Sequence, residues 1–182
     1  MIVEKTILGI DPGTNVMGYG IIETADNQVQ LVNLGIITLG KFPDHHQKLG
    51  HIFKRTLSLI EEYKPDEMAI EAPFYGKNVQ SMLKLGRAQG VAIAAALYRS
   101  VPMFEYAPRK IKMSITGQGN ATKEQVAWML ASILKLKTIT DNHDATDGLA
   151  AAICHFFQAK KENKTGASTW KEFIRKNPGK IK

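Results

Sequence analysis

The sequence predicts an α/β fold, in which a five-stranded mixed sheet is flanked by helices. Short runs rich in Val, Ile and Leu indicate strands, and longer stretches with apolar residues three or four apart indicate helices. After three initial strands the two kinds of element alternate. The chain has 182 residues, 44% hydrophobic and 23% charged, which suits one compact domain with its own core.

The first three strands are predicted at 6–11, 16–23 and 29–39, and the links between them are short and polar. Such short links favour an antiparallel meander. The first strand ends on Asp11, and the Pro-Gly pair that follows indicates a turn.

The remaining elements alternate between helices and strands. Residues 80–100 are rich in Ala and Leu, and we expect a long, mostly buried helix there. Thr122 begins another helix, with Gln125 as its partner in a capping box. Further helices are predicted at 46–63 and 144–159, and strands at 67–71 and 101–106, the second of which is stopped by Pro108.

Four acids fall at positions where they could meet. Right-handed crossovers make the first, fourth and fifth strands parallel, and ligand sites in such sheets lie at the carboxyl ends of strands. Asp11 ends the first strand and Glu71 ends the fourth, so these carboxylates lie side by side if the two strands are neighbours. Asp144 and Asp147 are three residues apart and share one face of the last helix.

Each acid taken singly also has a structural explanation. Asp11 precedes a turn, and Asp144 or Asp147 could cap a helix, although Asp141 and Asn142 are also available for that role. Taken together, four carboxylates in one pocket would raise one another's pKa, and divalent cations relieve that repulsion. Oxygen ligands favour Mg²⁺ or Mn²⁺ over zinc, so the pattern predicts metal-dependent hydrolysis of phosphodiesters.

Positive charge is concentrated in two parts of the chain. Residues 77–123 hold eight Lys and Arg against one Glu, and residues 159–182 hold eight against two. The rest of the chain holds eight basic and fourteen acidic residues. Basic segments around an acidic pocket suit a nucleic acid, although a solvated surface of mixed charge explains the same distribution.

The single cysteine, Cys154, excludes an intramolecular disulfide and fits a reducing compartment. No apolar stretch approaches the roughly 20 residues of a membrane span, and the N-terminus lacks the pattern of a signal peptide. We therefore expect a cytoplasmic protein that does not contact a membrane.

The sequence resembles the RuvC-type Holliday-junction resolvases, a branch of the RNase H-like nucleases. The resemblance covers most of residues 6–158, and its five stretches occur in the family's order. The stretches are ILGIDPGTNVMGYGII (7–22), AIEAPFYGKNVQSMLKLGRAQGVAIAAA (69–96), FEYAPRKIK (104–112), GNATKEQV (119–126) and DATDGLAAAICH (144–155).

This resemblance implies an RNase H-like nuclease domain at 1–158, followed by a basic tail at 159–182. It implies an endonuclease that resolves Holliday junctions in recombination and DNA repair by paired nicks on opposed strands. Its cofactor would be Mg²⁺, two ions per subunit, with Mn²⁺ as a substitute. Its partners would be a four-way DNA junction, a second copy of the chain, and the branch-migration complex of RuvA and RuvB.

The resemblance also assigns roles to single residues. Phe74 falls where the family pushes an aromatic side chain into the junction, and Lys112 and Lys123 fall where the family contacts DNA near the scissile phosphate. Packing over the next helix is the alternative for Phe74. The metal-binding catalytic acids would be Asp11, Glu71, Asp144 and Asp147. Further candidate phosphate contacts, for which ordinary surface charge is the alternative, are Arg109, Lys110, Lys77, Lys84 and Arg87.

Several alternatives remain open at this point. His143 could orient water beside Asp144 or be an exposed histidine. Gly148 stands where the family more usually has Ala, and the basic tail has no assigned role beyond auxiliary DNA contact. Rival functions are a related nuclease acting on RNA or on a DNA flap, a non-catalytic junction-binding scaffold, and a sugar-kinase-like ATPase suggested by the DPGT turn.

Overall fold

The computed structural model describes residues 3–26, 28–73, 78–140 and 142–165, without the side chains of 161–165. The strands are β1 (Lys5–Asp11), β2 (Val16–Ala25), β3 (Gln28–Thr38), β4 (Glu67–Glu71) and β5 (Met103–Tyr106). The helices are α1 (His45–Tyr63), α2 (Val79–Tyr98), α3 (Pro108–Thr116), α4 (Lys123–Ile133) and α5 (His143–Thr165). None of the helices in these ranges is long and apolar enough to cross a membrane.

The five strands form one mixed sheet in the order β3-β2-β1-β4-β5. The first three strands are an antiparallel meander, and β1, β4 and β5 are parallel, which confirms the topology predicted from the sequence. Ile10 of β1 pairs with Ile70 of β4. Asp11 and Glu71 are the next residue of each strand, so they end neighbouring strands at the same edge of the sheet.

Helices cover both faces of the sheet and form two apolar cores. On one face α1 and α2 pack over residues such as Leu8, Ile10 and Ile70. On the other face α5 crosses the sheet, accompanied by α3 and α4, and its segment 149–154 is buried throughout. The helix that carries Asp144 and Asp147 is therefore a central core element of the domain.

Glycines allow the start of α5 to lie directly on the backbone of β1 and β2. A Cβ atom added at Gly18 would lie 1.8 Å from the carbonyl oxygen of Asp144. A Cβ at Gly148 would lie 2.5 Å from the Cα of Tyr19, and one at Gly20 would lie 2.4 Å from the Cα of Leu149. The alanine that the family more usually has at position 148 would therefore not fit here, because the contact with β2 leaves no space for a methyl group.

We expect Gly18→Ala to destabilise the protein, because the new methyl group would displace the backbone at Asp144. The expected loss in the free energy of unfolding is on the order of 1–3 kcal/mol, as for overpacked cores. Gly50→Ala is the matched control: this α1 glycine faces open space, so alanine should gain about 0.5–1 kcal/mol. Urea unfolding of both variants measures the two effects, and equal stabilities would contradict the close seating of α5.

Two expectations about helices are wrong. The helix at 80–100 was expected to be mostly buried, but α2 buries only Ala88, Gln89, Ala92, Ala95 and Ala96 of its 20 residues. One side of α2 packs against α1, and the other side carries exposed residues such as Val79, Leu83 and Leu97. Helix α3 was not predicted, because Pro108 was interpreted as the stop of β5; it is also the first residue of α3, where proline is favoured.

The last helix is longer than expected. It was predicted at 144–159 and extends from His143 to Thr165, so residue 159, the proposed start of the tail, lies inside α5. Residues 166–182 lie outside the described ranges, as do Phe74 and Lys77. The division into a nuclease domain and a tail stays a prediction.

Candidate active site

Three of the four acids line one cleft of about 650 Å³. Asp11 and Glu71 reach it from the ends of β1 and β4, and Asp147 reaches it from the first turns of α5. The cleft is closed on its other sides by α3 and α4, which contribute Lys112 and Lys123. Side chains separated by more than 130 positions in the sequence thus meet at the edge of the sheet.

Asp144 lies beside this cleft rather than in its lining. Its side chain is 48% exposed, against 19% for Asp147. The helix does not need either acid as its cap, because Asn142 Oδ1 accepts hydrogen bonds from the backbone N–H groups of Asp144 (3.1 Å) and Ala145 (3.3 Å). This capping removes the structural explanation for two acids on one helical face.

Lys123 provides the positive charge of the cleft. Its Nζ donates to Asp147 Oδ2 at 2.5 Å and lies 3.7 Å from Asp144 Oδ1. Its hydrogen bond to Asp147 and the charges of that residue, Asp144 and Asp11 raise the pKa of Lys123 against the opposing effect of burial. The sequence indicated Lys123 only as a DNA contact, and its ion pair with the acids was missed.

The two strand-end acids bind protons unusually strongly. Burial, followed by the charges of Glu71 and Asp147, raises the pKa of Asp11 from 3.8 to about 8. Burial and the charge of Asp147 raise the pKa of Glu71 from 4.5 to about 7. Lys123 lowers both pKa values but does not offset the other effects. The cleft therefore lacks positive charge when it holds no cation other than this lysine.

These observations fit a divalent cation. The acids offer carboxylate oxygens, the ligands that Mg²⁺ and Mn²⁺ prefer. The raised pKa values of Asp11 and Glu71 come first from burial and then from the charges of the neighbouring acids, and a bound cation would offset both effects. Among the residues that the structure describes, no group of three or more Asp, Glu, His or Cys side chains is arranged so that it could hold a metal ion without movement. The ammonium group of Lys123 lies among the acids instead.

We expect the metal-free protein to lose stability as the pH rises from about 4 to about 8, by several kcal/mol. The unfolded chain releases the protons of Asp11 and Glu71 near their ordinary pKa values, whereas the folded protein keeps them until pH about 7 to 8. Across that window the folded state binds more protons, so raising the pH favours unfolding.

Thermal unfolding in the presence of EDTA measures this slope. The double variant Asp11→Asn/Glu71→Gln should flatten it, because neither replacement can ionise. Identical pH profiles for the wild type and the double variant would contradict the raised pKa values.

The candidate DNA contacts divide into two groups. Arg109 and Lys112, both from α3, line the cleft together with Lys123. Lys110 and Lys84 are exposed but do not line it. Arg87 is exposed on α2 as well, and the positions of Phe74 and Lys77 fall outside the described residues.

For two further residues near the site, no definite role could be predicted from the sequence. His143 is half-buried rather than exposed, and its Nδ1 has no hydrogen-bond partner among the described residues. Gln89, buried in α2, donates to the backbone carbonyl of Glu71 at 3.3 Å and was missed. The sequence did contain a signal for this contact: a glutamine inside an Ala-rich helix is expected to be buried, and a buried amide requires a hydrogen-bond partner.

Comparison with known proteins gives a consistent result. The family model described as crossover junction endodeoxyribonuclease RuvC matches residues 7–155. The RuvC proteins of Cytophaga hutchinsonii and Bacteroides fragilis are each 59% identical to this chain. The first match covers 99% of this chain and 90% of the relative, and the second covers 98% and 97%.

Solved structures show the same fold. Thermus thermophilus RuvC in complex with a Holliday junction substrate matches with a TM-score of 0.80 and 29% identity, over 87% of this chain and 96% of that one. The yeast mitochondrial Holliday junction resolvase Ydc2 matches with a TM-score of 0.64 and 14% identity, over 93% of this chain and 83% of that one. At that identity the second likeness concerns the fold alone.

Proposed function

Because the chain belongs to the RuvC family of crossover junction endodeoxyribonucleases, we propose that it resolves four-way DNA junctions at the cleft lined by Asp11, Glu71 and Asp147, with Asp144 beside it. The observation that carries this proposal is the meeting of Asp11, Glu71 and Asp147 in one cleft whose other walls carry basic residues. Such a cleft combines a place for cations with a place for phosphates.

A divalent cation goes with membership of this family. We propose that Asp11, Glu71 and Asp147 hold Mg²⁺, that Asp144 completes the set from beside the cleft, and that two ions bind per subunit. When bound, such ions activate water and stabilise the departing oxygen of a phosphodiester. Mn²⁺ should substitute, since it accepts the same oxygen ligands.

The chain's own residues bind and orient the DNA. Lys112 and Lys123 lie in the cleft with the acids, where a scissile phosphate must come, and Arg109 extends the positive charge along α3. Phosphate contacts of this kind fix the position of the nucleic acid without reading its sequence. Lys110 and Lys84 remain proposed contacts outside the lining of the cleft, and Phe74 remains a proposed contact among the residues that the structure does not describe.

We propose a homodimer, because paired nicks on opposed strands need two active sites. The uncovered side of α2 offers a surface for a second copy. Val79, Leu83 and Leu97 are 66%, 52% and 62% exposed there, and Gly90 on the same side leaves room for close approach. An exposed apolar helix face of this kind is typical of a protein interface. The branch-migration complex of RuvA and RuvB is a further proposed partner, carried by the family alone.

We expect Leu83→Glu to separate the dimer, since it places a charge in an apolar interface. Sedimentation analysis should show a monomer, while Val32→Glu, a similar change at an exposed valine of β3, should remain dimeric. Isolated monomers should nick single strands of a junction and lose simultaneous cleavage of opposed strands. A monomeric wild type would contradict this part of the proposal.

The substrate is tested with a synthetic four-way junction that carries a different label on each strand. In the presence of Mg²⁺ the protein should nick two opposed strands near the crossover and leave linear duplex and RNA hairpins intact. Cleavage of linear duplex or of RNA at the same rate would favour a related nuclease instead. Tight junction binding without any cleavage would favour a non-catalytic scaffold.

A further inference from the structure

We propose that His155 is a positioning residue that fixes where α5 sits along the sheet, and with it the placement of Asp147 against Glu71. This inference rests on the proposed function, because it concerns the same acids. His155 lies in α5 two turns beyond Asp147, away from the cleft, and 3% of its surface is exposed.

Both ring nitrogens of His155 are engaged by the sheet. Its Nδ1 lies 2.7 Å from the hydroxyl oxygen of Tyr106, the last residue of β5. Its Nε2 lies 2.7 Å from Oε2 of Glu67, the first residue of β4. The ring also stacks on Phe104, with centroids 4.3 Å apart. One side chain of α5 is therefore tied to two neighbouring parallel strands, β4 and β5.

Glu67 extends this network to a third strand. Its Oε1 accepts from Lys5 Nζ, at the start of β1, at 2.5 Å. Hydrogen bonds from Lys5 and His155 lower the pKa of Glu67 against the effect of burial. The carboxylate thus stays charged and keeps accepting from both partners. Strands β1, β4 and β5, which position the site, share this one anchor with α5.

The spacing along the two elements connects the anchor to the site. On β4, Glu67 and Glu71 are four residues apart, a separation of about 13 Å on one face of the strand. On α5, Asp147 and His155 are eight residues apart, a rise of about 12 Å. The two spans match, so the contact between His155 and Glu67 at one end brings Asp147 opposite Glu71 at the other.

The close contacts at Gly18 and Gly20 seat the first turns of α5 on β2. Beyond them, the buried residues of α5 at 150–152 are alanines, and apolar contacts of that kind are less directional than hydrogen bonds. The bonds of His155 therefore add a second, directional anchor two turns away, on β4 and β5. A buried, hydrogen-bonded polar group can select one arrangement, even where it adds little stability.

The test compares His155→Leu with His155→Gln and with Ile153→Val. The leucine removes both hydrogen bonds at similar volume, the glutamine retains a donor and an acceptor, and Ile153→Val perturbs the same buried segment of α5 without touching the network. Mn²⁺ binding is measured by calorimetry, junction binding is measured without metal, and cleavage is measured against Mn²⁺ concentration.

For His155→Leu we expect Mn²⁺ affinity to fall by roughly 10-fold, the lower end of the range for residues that hydrogen-bond metal ligands directly, because His155 acts on Asp147 only through the position of α5. Half-maximal cleavage should need correspondingly more metal, excess metal should restore most of the rate, and junction binding should stay unchanged. His155→Gln should recover most of the affinity, and Ile153→Val should match the wild type. A purely structural role would reduce the active fraction and leave the metal concentration for half-maximal cleavage unchanged.

Unchanged Mn²⁺ affinity in folded His155→Leu would overturn the proposal. If that variant does not fold, Tyr106→Phe, which removes one bond, decides: affinity equal to that of the wild type overturns the proposal and a several-fold loss supports it. Failure of the underlying function looks different, because the wild type itself would then neither bind Mn²⁺ nor cut the junction.

Discussion

Asp11→Asn is expected to bind a four-way junction as the wild type does and to cut it at least roughly 10³-fold more slowly, because Asp11 is proposed as a direct metal ligand and the loss of a ligand exceeds the effect of an outer-shell change. Asparagine keeps the shape of the side chain and removes its negative charge. Burial and the charges of the other acids raise the pKa of Asp11 to about 8, further than they raise that of Glu71.

The same substitution should stabilise the metal-free protein at high pH, because it removes a charge that burial disfavours. Loss of cleavage together with a gain in stability separates a functional acid from a structural one. Glu71→Gln should behave alike, with a smaller gain, since the pKa of Glu71 rises only to about 7.

Asp26→Asn is the matched control for this change. Asp26 lies at the far end of β2 with a positive φ of 49°, a conformation that asparagine tolerates well. The variant makes the same change in charge away from the cleft and should cut normally. Cleavage by Asp11→Asn at the rate of Asp26→Asn would show that the site proposed here is wrong.

Lys123→Gln is expected to move metal binding and cleavage in opposite directions. Its ammonium group contacts Asp147 and Asp144, where it competes with an entering cation. Its removal should raise Mn²⁺ affinity several-fold above pH about 8, where the acids are ionised. Cleavage should nevertheless fall by roughly 10²-fold, because a phosphate at the cleft loses a charged partner.

Calorimetry with Mn²⁺ and single-turnover cleavage at saturating metal measure the two effects separately. Lys54→Gln, which removes an exposed charge from α1, is the control and should change neither. Weaker Mn²⁺ binding by Lys123→Gln would show that Lys123 assists the metal site instead of competing with it.

The strand-end acids could be predicted from the sequence because their positions follow from topology. A buried strand that ends on Asp11 and another that ends on Glu71 are expected to be parallel, so their ends share one edge of the sheet. The sequence left open whether the two strands are neighbours, and the pairing of β1 with β4 shows that they are. The pair in α5 could be predicted from its spacing of three residues. No distance was needed for either inference.

Other features depended on tertiary packing that a local pattern does not contain. Pro108 stops a strand and begins a helix with equal plausibility, and only the burial of Ile111 and Ile115 shows why α3 forms. The exposed side of α2 was missed because an Ala- and Leu-rich helix looks the same whether the chain or a partner covers it. The ion pair of Lys123 joins residues 24 positions apart and has no signature in sequence.

The central place of α5 has a consequence for synthesis of the protein. Asp11 and Glu71 are translated early, but Asp144 and Asp147 arrive with the last described helix, which packs on β1, β2, β3 and β4. Until that helix has left the ribosome and docked, one face of the sheet lacks the helix that crosses it, and the cleft has no third acid. With the acids proposed here as the site, we expect the nascent chain to be inert toward DNA cleavage until α5 has docked.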